Sequence, residues 1–392
     1  MIPIPKGYTF STAKANFRYK NRDDLGLILS EKPAVVAAVF TTNKFKAAPI
    51  YVCQKKLKQN SYKAQGIVIN SGIANAGTGE MGIYNCNKAL ELVGDRLKID
   101  PNFLLPASTG VIGEQFKMEC WEAGAKELYK NLGKKDIIDV AKAIMTTDTF
   151  PKISYSKHRD FSVTLVAKGA GMICPNMATM LCFIITDVSI ERPLFQDILT
   201  EVTENTFNRI SVDGDTSTND CVIAMANGLS GKTISDKKDI LLFKQILFET
   251  MYDASYKIVQ DAEGGTKVVH IKVKGTRTYD DAKKIAQTIA NSPLVKTAFY
   301  GEDANWGRIV AAIGRSGVDV DISKVLIKIG DIEIFKNQMG IDGDIDAILM
   351  PYLKKQDIFL YIDIGNNTEY EYNMLFSDLT EQYVKINSGY RS

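Results

Sequence analysis

Histidine is the side chain enzymes most often use to move protons near neutral pH, and this chain of 392 residues has two, His158 and His270. His158 lies in the polar stretch Lys157-His158-Arg159-Asp160, and His270 in the strand-like run Val268–Val273. Neither has a second histidine at metal-ligand spacing, and neither context suggests the base of a Ser-His-Asp triad. Both read as structural, His158 in a solvated loop and His270 on the edge of a strand, so no metal site is expected and any chemistry runs without histidine. The six cysteines, Cys53, Cys86, Cys120, Cys174, Cys182 and Cys221, form no CxxC pair. They read as small buried hydrophobes of a reducing compartment.

Three polar segments remain. Gly77-Thr78-Gly79-Glu80-Met81-Gly82 fits GxGxxG, but Ser71 to Ala76 separate it from the preceding strand, and a helix stands where a second strand should follow. It reads as a glycine-rich turn, with a nucleotide-binding or regulatory module as the alternative. Asp213 to Asp220 fails as a calcium loop, because Thr218 and Ala224 occupy the places of the required glycine and glutamate. The default there is a polar turn capping the next strand. Lys168-Gly169-Ala170-Gly171-Met172-Ile173-Cys174-Pro175-Asn176-Met177-Ala178-Thr179-Met180-Leu181 leads glycines and a proline to a threonine at the mouth of an apolar strand. By itself this supports a loop entering a strand, and Thr179 is a candidate nucleophile within it.

The elements that must position these residues alternate in the first third of the chain. Pro33–Phe40 and Gly66–Ile69 are short apolar runs expected to be strands, as are Phe161–Val166 and Leu181–Thr186. Ile83–Lys98 and Lys117–Leu132 carry charge on one face and are expected to be amphipathic helices. Helices are also expected over Arg192–Ile210, over Lys237–Ala262 with a stop at Gly264-Gly265, and over Tyr279–Ala290. Strands follow at Val268–Val273, Val325–Ile329 and Ile358–Ile364. Without a steady βαβ rhythm, the mixture points to α+β layers.

Composition bounds the function. Apolar residues are 45% and charged residues 24%, ordinary for a globular chain, and 48 basic against 46 acidic side chains give a net charge of +2. That balance offers no field for a polyanion, so no nucleic-acid partner is expected. The lysines at 44, 46, 55, 56 and 58 are the one basic cluster and read as a solvated face. Met1–Gly7 lacks the apolar core of a signal peptide, and no apolar run approaches the roughly twenty residues that span a bilayer. No membrane partner and a cytoplasmic location are therefore expected.

Ordered blocks along nearly the whole chain resemble the arginine-biosynthetic ornithine acetyltransferase family, also called glutamate N-acetyltransferases, which are self-cleaving N-terminal-nucleophile enzymes. The blocks are AVFTTNKFKAAP (Ala38–Pro49), NSGIANAGTG (Asn70–Gly79), PASTGVIGE (Pro106–Glu114), MTTDTFPK (Met145–Lys152) and KGAGMICPNMATML (Lys168–Leu181). STNDC (Ser217–Cys221), DAEGGTK (Asp261–Lys267), LVKTAFYGEDANWGRI (Leu294–Ile309) and INSGYRS (Ile386–Ser392) complete them. Ile73 and Gly77 depart from the polar residue and the cysteine of many relatives, in a loop outside the chemistry.

The resemblance implies an α+β helix/sheet sandwich of the N-terminal-nucleophile-like type, with a smaller C-terminal α/β lobe over roughly residues 275–392. It implies cleavage between Ala178 and Thr179 into an alpha chain, 1–178, and a beta chain, 179–392, assembled as a heterotetramer of two copies of each. A free α-amine with a pKa of roughly 7.7–8.0 would then serve Thr179 as its own base. The implied reaction passes an acetyl group from N-acetylornithine through Thr179 to glutamate. Thr109 and Gly110 match the family's oxyanion pair, and Thr146, Lys168, Glu263, Asn387 and Ser392 its substrate contacts. No cofactor is implied, and acetyl-CoA is left open as a further acetyl donor. An aminopeptidase with the same nucleophile and water as acceptor is the second enzyme reading.

Overall fold

A computed structural model describes residues 2–174, 180–341 and 344–389. Strands form where apolar, β-branched residues run together between turn residues, and the longest shows how such a run is interrupted. Strand β2 (Leu25–Phe40) joins two apolar halves through Glu31-Lys32-Pro33, which is exposed. Its register with β3 (Lys63–Ile73) shifts between Leu29 and Ala34, because Pro33 has no N–H to give the ladder.

Beside these lie β1 (Tyr8–Ala13), β4 (Leu104–Val111), β5 (Lys152–Lys157), β6 (Ser162–Lys168), β7 (Leu181–Thr186) and β10 (Cys221–Ala226). Among the described residues they make one mixed sheet in the order β4-β3-β2-β10-β7-β6-β5, with β1 paired to β2. The β3/β4 and β7/β10 pairs are parallel, so each needs a crossover helix. These are α2 (Gly79–Leu97) and α5 (Arg192–Asn205). Every residue of β7 and β10 is buried, as expected of interior strands covered on both faces.

On one face α5 and α6 (Lys237–Gln260) press Phe195, Leu199, Phe243, Leu247 and Ile258 onto the sheet. The other is covered by α1 (Ala48–Gln59) and α4 (Ile137–Ala143), and α2 with α3 (Met118–Asn131) packs against Leu25, Leu27 and Val68. Two short strands, β8 (Ser189–Ile190) and β11 (Thr233–Ile234), pair with each other.

A second sheet contains β9 (Ile210–Ser211), β12 (Val268–Lys274), β13 (Leu326–Ile329), β14 (Ile332–Lys336), β15 (Met339–Gly340), β16 (Asp357–Asp363) and β17 (Glu371–Ser377). Helix α6 touches both sheets and forms the layer between them. On the far face lie α7 (Tyr279–Ala290), α8 (Pro293–Tyr300) and α9 (Trp306–Gly314), which bury Ile285, Ile289, Phe299 and Ile313 against Val269 and Ile271. Two further helices are α10 (Ile345–Leu353) and α11 (Glu381–Gly389). The architecture is an α+β sandwich. Among the described residues no helix is long and apolar enough to cross a membrane.

Three local expectations are corrected. Helix α5 stops at Asn205 rather than running to Ile210. Thr206 leaves helical geometry (φ −128°, ψ −86°), Phe207–Arg209 make a 3-10 turn, and Ile210 enters β9 beside Leu375. Lys56 is not on a solvated face: it is buried, with Nζ donating to the Pro101 carbonyl at 2.9 Å. His270 is not at an edge, since β12 is paired on both sides, by β16 and β17. It bonds Asp357 at 2.8 Å and stacks on Phe359.

Candidate active site

Strands β3 and β4 run in parallel register, bringing Gly72 opposite Gly110. Gly110 adopts φ 130°, and a Cβ there would fall 2.2 Å from the Gly72 carbonyl carbon. Only glycine fits this approach. The ends of both strands are fixed by buried amides: Asn219 Nδ2 donates to the carbonyls of Ala74 (2.7 Å) and Ser108 (2.9 Å), and Ser108 Oγ donates to Asn70 Oδ1 (2.6 Å). Thr109, buried, and Gly110 therefore sit on a rigid strand end.

The β6/β7 ladder pairs Lys168 with Leu181, so register alone sets this lysine across from the strand that follows residue 179. Among the described residues no side chain bonds or ion-pairs directly with the Lys168 amine. Burial lowers its pKa, with Asp148, Glu263 and Asp220 opposing and Lys152 adding to the effect. On the other side of β7, Cys221 N donates to the Met180 carbonyl at 3.1 Å. Asp220 is 2% exposed, and among the described residues its Oδ2 has no hydrogen-bond partner. Burial pushes its carboxyl well above the usual range, against bonds from Ser217 and the Met180 N–H and the charge of Lys168. Such an orphaned oxygen needs an explanation.

Helix α6 is capped by Asp236, whose side chain accepts from Asp239 N, and it ends at Gln260. Its exit turn presents Glu263, whose N–H donates to the Ala170 carbonyl at 2.9 Å. Gly171 packs on the Glu263 carboxyl so tightly that a Cβ would lie 2.3 Å from Cδ. Asn387 of α11 donates to Glu263 Oε2 at 2.8 Å. The same helix is tied down by Tyr383, whose hydroxyl donates to Asp213 Oδ2 at 3.2 Å. Asp213 also accepts from Met172 N (2.6 Å) and Ile173 N (2.8 Å), and so holds the segment that leads toward residue 179.

Thr109, Gly110, Thr146, Lys168, Glu263 and Asn387 line one cleft of about 180 Å³, together with Met180 and Leu181. All six come from different parts of the chain apart from the adjacent Thr109 and Gly110. Ala178, Thr179 and Ser392 lie outside the described residues. A larger groove of about 1430 Å³ runs between α6 and the α6-facing side of the second sheet, and it contains none of these six. Its lining is aromatic and lysine-rich, without the strand-end glycine and hydroxyl pair that acyl chemistry needs. The cleft is the chemically equipped concavity of the two. It also contains Asp213, Asp220 and Tyr383, which sequence reasoning missed. The signal available for the two acids was the run of three aspartates, Asp213, Asp215 and Asp220, in the segment read as a polar turn.

The model for the ArgJ family matches residues 9–392. The chain is 45% identical to the arginine biosynthesis bifunctional protein ArgJ of Nitratidesulfovibrio vulgaris over the full length of both. It is 42% identical to that of Desulfotalea psychrophila over 99% of each. Among solved structures, the arginine biosynthesis bifunctional protein of Bacillus halodurans is similar with 37% identity and a TM-score of 0.50, covering 53% of this chain and 98% of its own.

Proposed function

Since the chain belongs to the ArgJ family of arginine-biosynthesis acyltransferases, we propose that it moves an acetyl group from N-acetylornithine to glutamate through an acetyl ester on Thr179. The observation that carries this reading is the convergence of Thr109, Gly110, Thr146, Lys168, Glu263 and Asn387 on one cleft, at the point where the chain continues as Met180 and Leu181.

Maturation begins when the Thr179 hydroxyl attacks the Ala178 carbonyl. The peptide shifts to an ester, water hydrolyses it, and the products are the Ala178 carboxylate and the free Thr179 amine. The fragments stay together, because β6 of the first pairs with β7 of the second and β2 of the first with β10 of the second. The site is accordingly composite, with Thr109, Thr146 and Lys168 from one fragment and Glu263 and Asn387 from the other. A little over half of the chain follows residue 178, close to the share covered by the Bacillus halodurans structure. The mature assembly is two copies of each fragment.

In the first half-reaction the Thr179 amine takes the proton from its own hydroxyl as the oxygen attacks the acetyl carbonyl. The tetrahedral oxyanion accepts bonds from the Thr109 hydroxyl and the Gly110 N–H. On collapse the proton passes to the departing α-amine, releasing ornithine and leaving acetyl-Thr179. Glutamate then attacks through its amine, and the same steps in reverse return the threonine. Lys168 holds the donor's carboxylate and Glu263 its side-chain ammonium, as charge-assisted pairs.

The test is a denaturing mass spectrum before and after brief exposure to N-acetylornithine. Two fragments divided at Ala178/Thr179, with an acetyl increment on the Thr179 fragment alone, are expected. An intact chain, or fragments without the increment, would overturn the reading. The same increment with acetyl-CoA would identify a second donor.

A further inference from the structure

Behind the cleft lies a buried set of charges that the mechanism above does not use. Lys152 Nζ donates to Asp148 Oδ1 at 2.7 Å and to Asp261 Oδ2 at 2.5 Å, and all three side chains are essentially inaccessible. Each acid also binds backbone of the cleft wall. Asp148 accepts from Gly169 N (2.8 Å), the residue after Lys168, and from Thr146 N (3.0 Å). Asp261 accepts from Thr149 N (3.0 Å) and from the Thr149 hydroxyl, two residues before Glu263. One ladder thus joins the loop carrying Thr146, the end of the strand carrying Lys168, and the turn carrying Glu263. Buried charges persist when they are paired. Here both carboxylates pair with Lys152, and the charge of Asp148 also acts on Lys168.

We propose that Asp148 is a positioning residue, which holds the backbone at Gly169 so that Lys168 meets the substrate carboxylate, and supplies a counter-charge to this half-buried ammonium. The proposal rests on the reading of Lys168 given above. The interaction is mutual: burial pushes the Asp148 carboxyl up, but Lys168 and Lys152 outweigh it and hold it down to about 2. The groups that face Lys168 are Asp148 from the loop before β5, Lys152 from β5, Glu263 from the turn after α6, and Asp220 from the loop before β10. Asp148 leads those that favour its charged form, and Lys152 opposes them. Deleting one or the other must therefore move Lys168 in opposite directions.

The experiment follows the KM for N-acetylornithine from neutral to alkaline pH in the parent enzyme, Asp148→Asn and Lys152→Gln, with folding checked by thermal unfolding. In the parent, KM rises where Lys168 loses its proton. In Asp148→Asn the rise is expected at lower pH, by about one unit, the lower end of the shifts that nearby opposite charges exert. In Lys152→Gln it is expected at higher pH. A purely structural Asp148 would lower stability or the yield of active enzyme and leave that midpoint in place. A folded variant of either kind whose midpoint coincides with the parent's overturns the proposal, so failure of one variant to fold leaves the other as the test. Should both unfold, the parent decides: the part of its KM rise that lies below the titration of the substrate's own ammonium, at about pH 10.5, must vanish with N-acetylputrescine, which keeps that ammonium and lacks the carboxylate, and persistence of that part overturns the proposal. Lys168→Met separates the two levels of argument. If it leaves KM unchanged, the reading of the site falls; if it raises KM while Asp148→Asn leaves the midpoint alone, only this inference falls.

Discussion

Replacing Gly171 by alanine tests the cleft at its tightest contact. The new methyl carbon would sit 2.3 Å from Glu263 Cδ and 2.4 and 2.5 Å from its oxygens, where ordinary contact begins near 3.4 Å. Gly171 is outside the left-handed region, so its backbone accepts alanine and the Glu263 side chain must give way by about 1 Å. A binding group misplaced by that much costs on the order of 100-fold, or about 2.7 kcal/mol in kcat/KM. The crowding itself should cost about 1–3 kcal/mol of stability, which leaves a folded protein. Because Glu263 is assigned to the ammonium of the donor, acetylation of the Thr179 fragment by N-acetylornithine should slow by that factor. Its deacetylation by glutamate, which has no side-chain ammonium, should change far less. Rapid-mixing mass spectrometry measures both half-reactions. Adding Gly171→Ala to Glu263→Gln should cost almost nothing further, as expected of residues acting through one contact. Equal losses in the two half-reactions, or full additivity in the double variant, would refute the reasoning.

Thr109→Val should lower kcat by about 10²–10³ while KM moves little, because the lost hydroxyl is needed where charge develops rather than where substrate binds; a single-turnover acetylation rate within a few-fold of the parent would speak against the role. Lys296 is buried, with Nζ donating to the carbonyl of Ser377, and burial lowers its amine to about 8 from 10.5. The fold therefore penalises the charged form. That penalty is fully present below pH 8 and is relieved as pH rises toward 10.5, so the stability of the parent relative to Lys296→Met should grow over that window. Denaturant melts of both proteins across it would reveal a flat difference if the reasoning is wrong.

Strand β7 and helix α7 match the sequence expectation to the residue, Leu181–Thr186 and Tyr279–Ala290. Their signals are local, an unbroken apolar run in one and a 3.6-residue period in the other. The end of α5 was not legible, since Phe207 and Ile210 continue the apolar spacing and only pairing with Leu375 pulls Ile210 into a strand. Lys56 looked solvated among its neighbours because its acceptor, the Pro101 carbonyl, comes from another element. Asp213 and Asp220 had the same disguise. Each is an acid in a polar turn, and what sets it apart is burial against backbone N–H groups from the segments on either side of residue 179.

Covalent identity alone dictated the kinds of chemistry open to this chain. The two isolated histidines and scattered cysteines offer no histidine pair at metal-ligand spacing and no CxxC, and Lys168–Leu181 sets a hydroxyl, that of Thr179, in a glycine-rich segment at the mouth of an apolar strand. Tertiary structure decided what no spacing encodes: that Thr109, Lys168, Glu263 and Asn387 share one cleft, that Gly171 presses on Glu263, and that Asp148 binds the backbone N–H of Gly169 beside Lys168. Proximity and charge state depend on which strands pair and what water they exclude. In a mixed sheet whose neighbours lie far apart in the chain, those are properties of the register rather than of any local pattern.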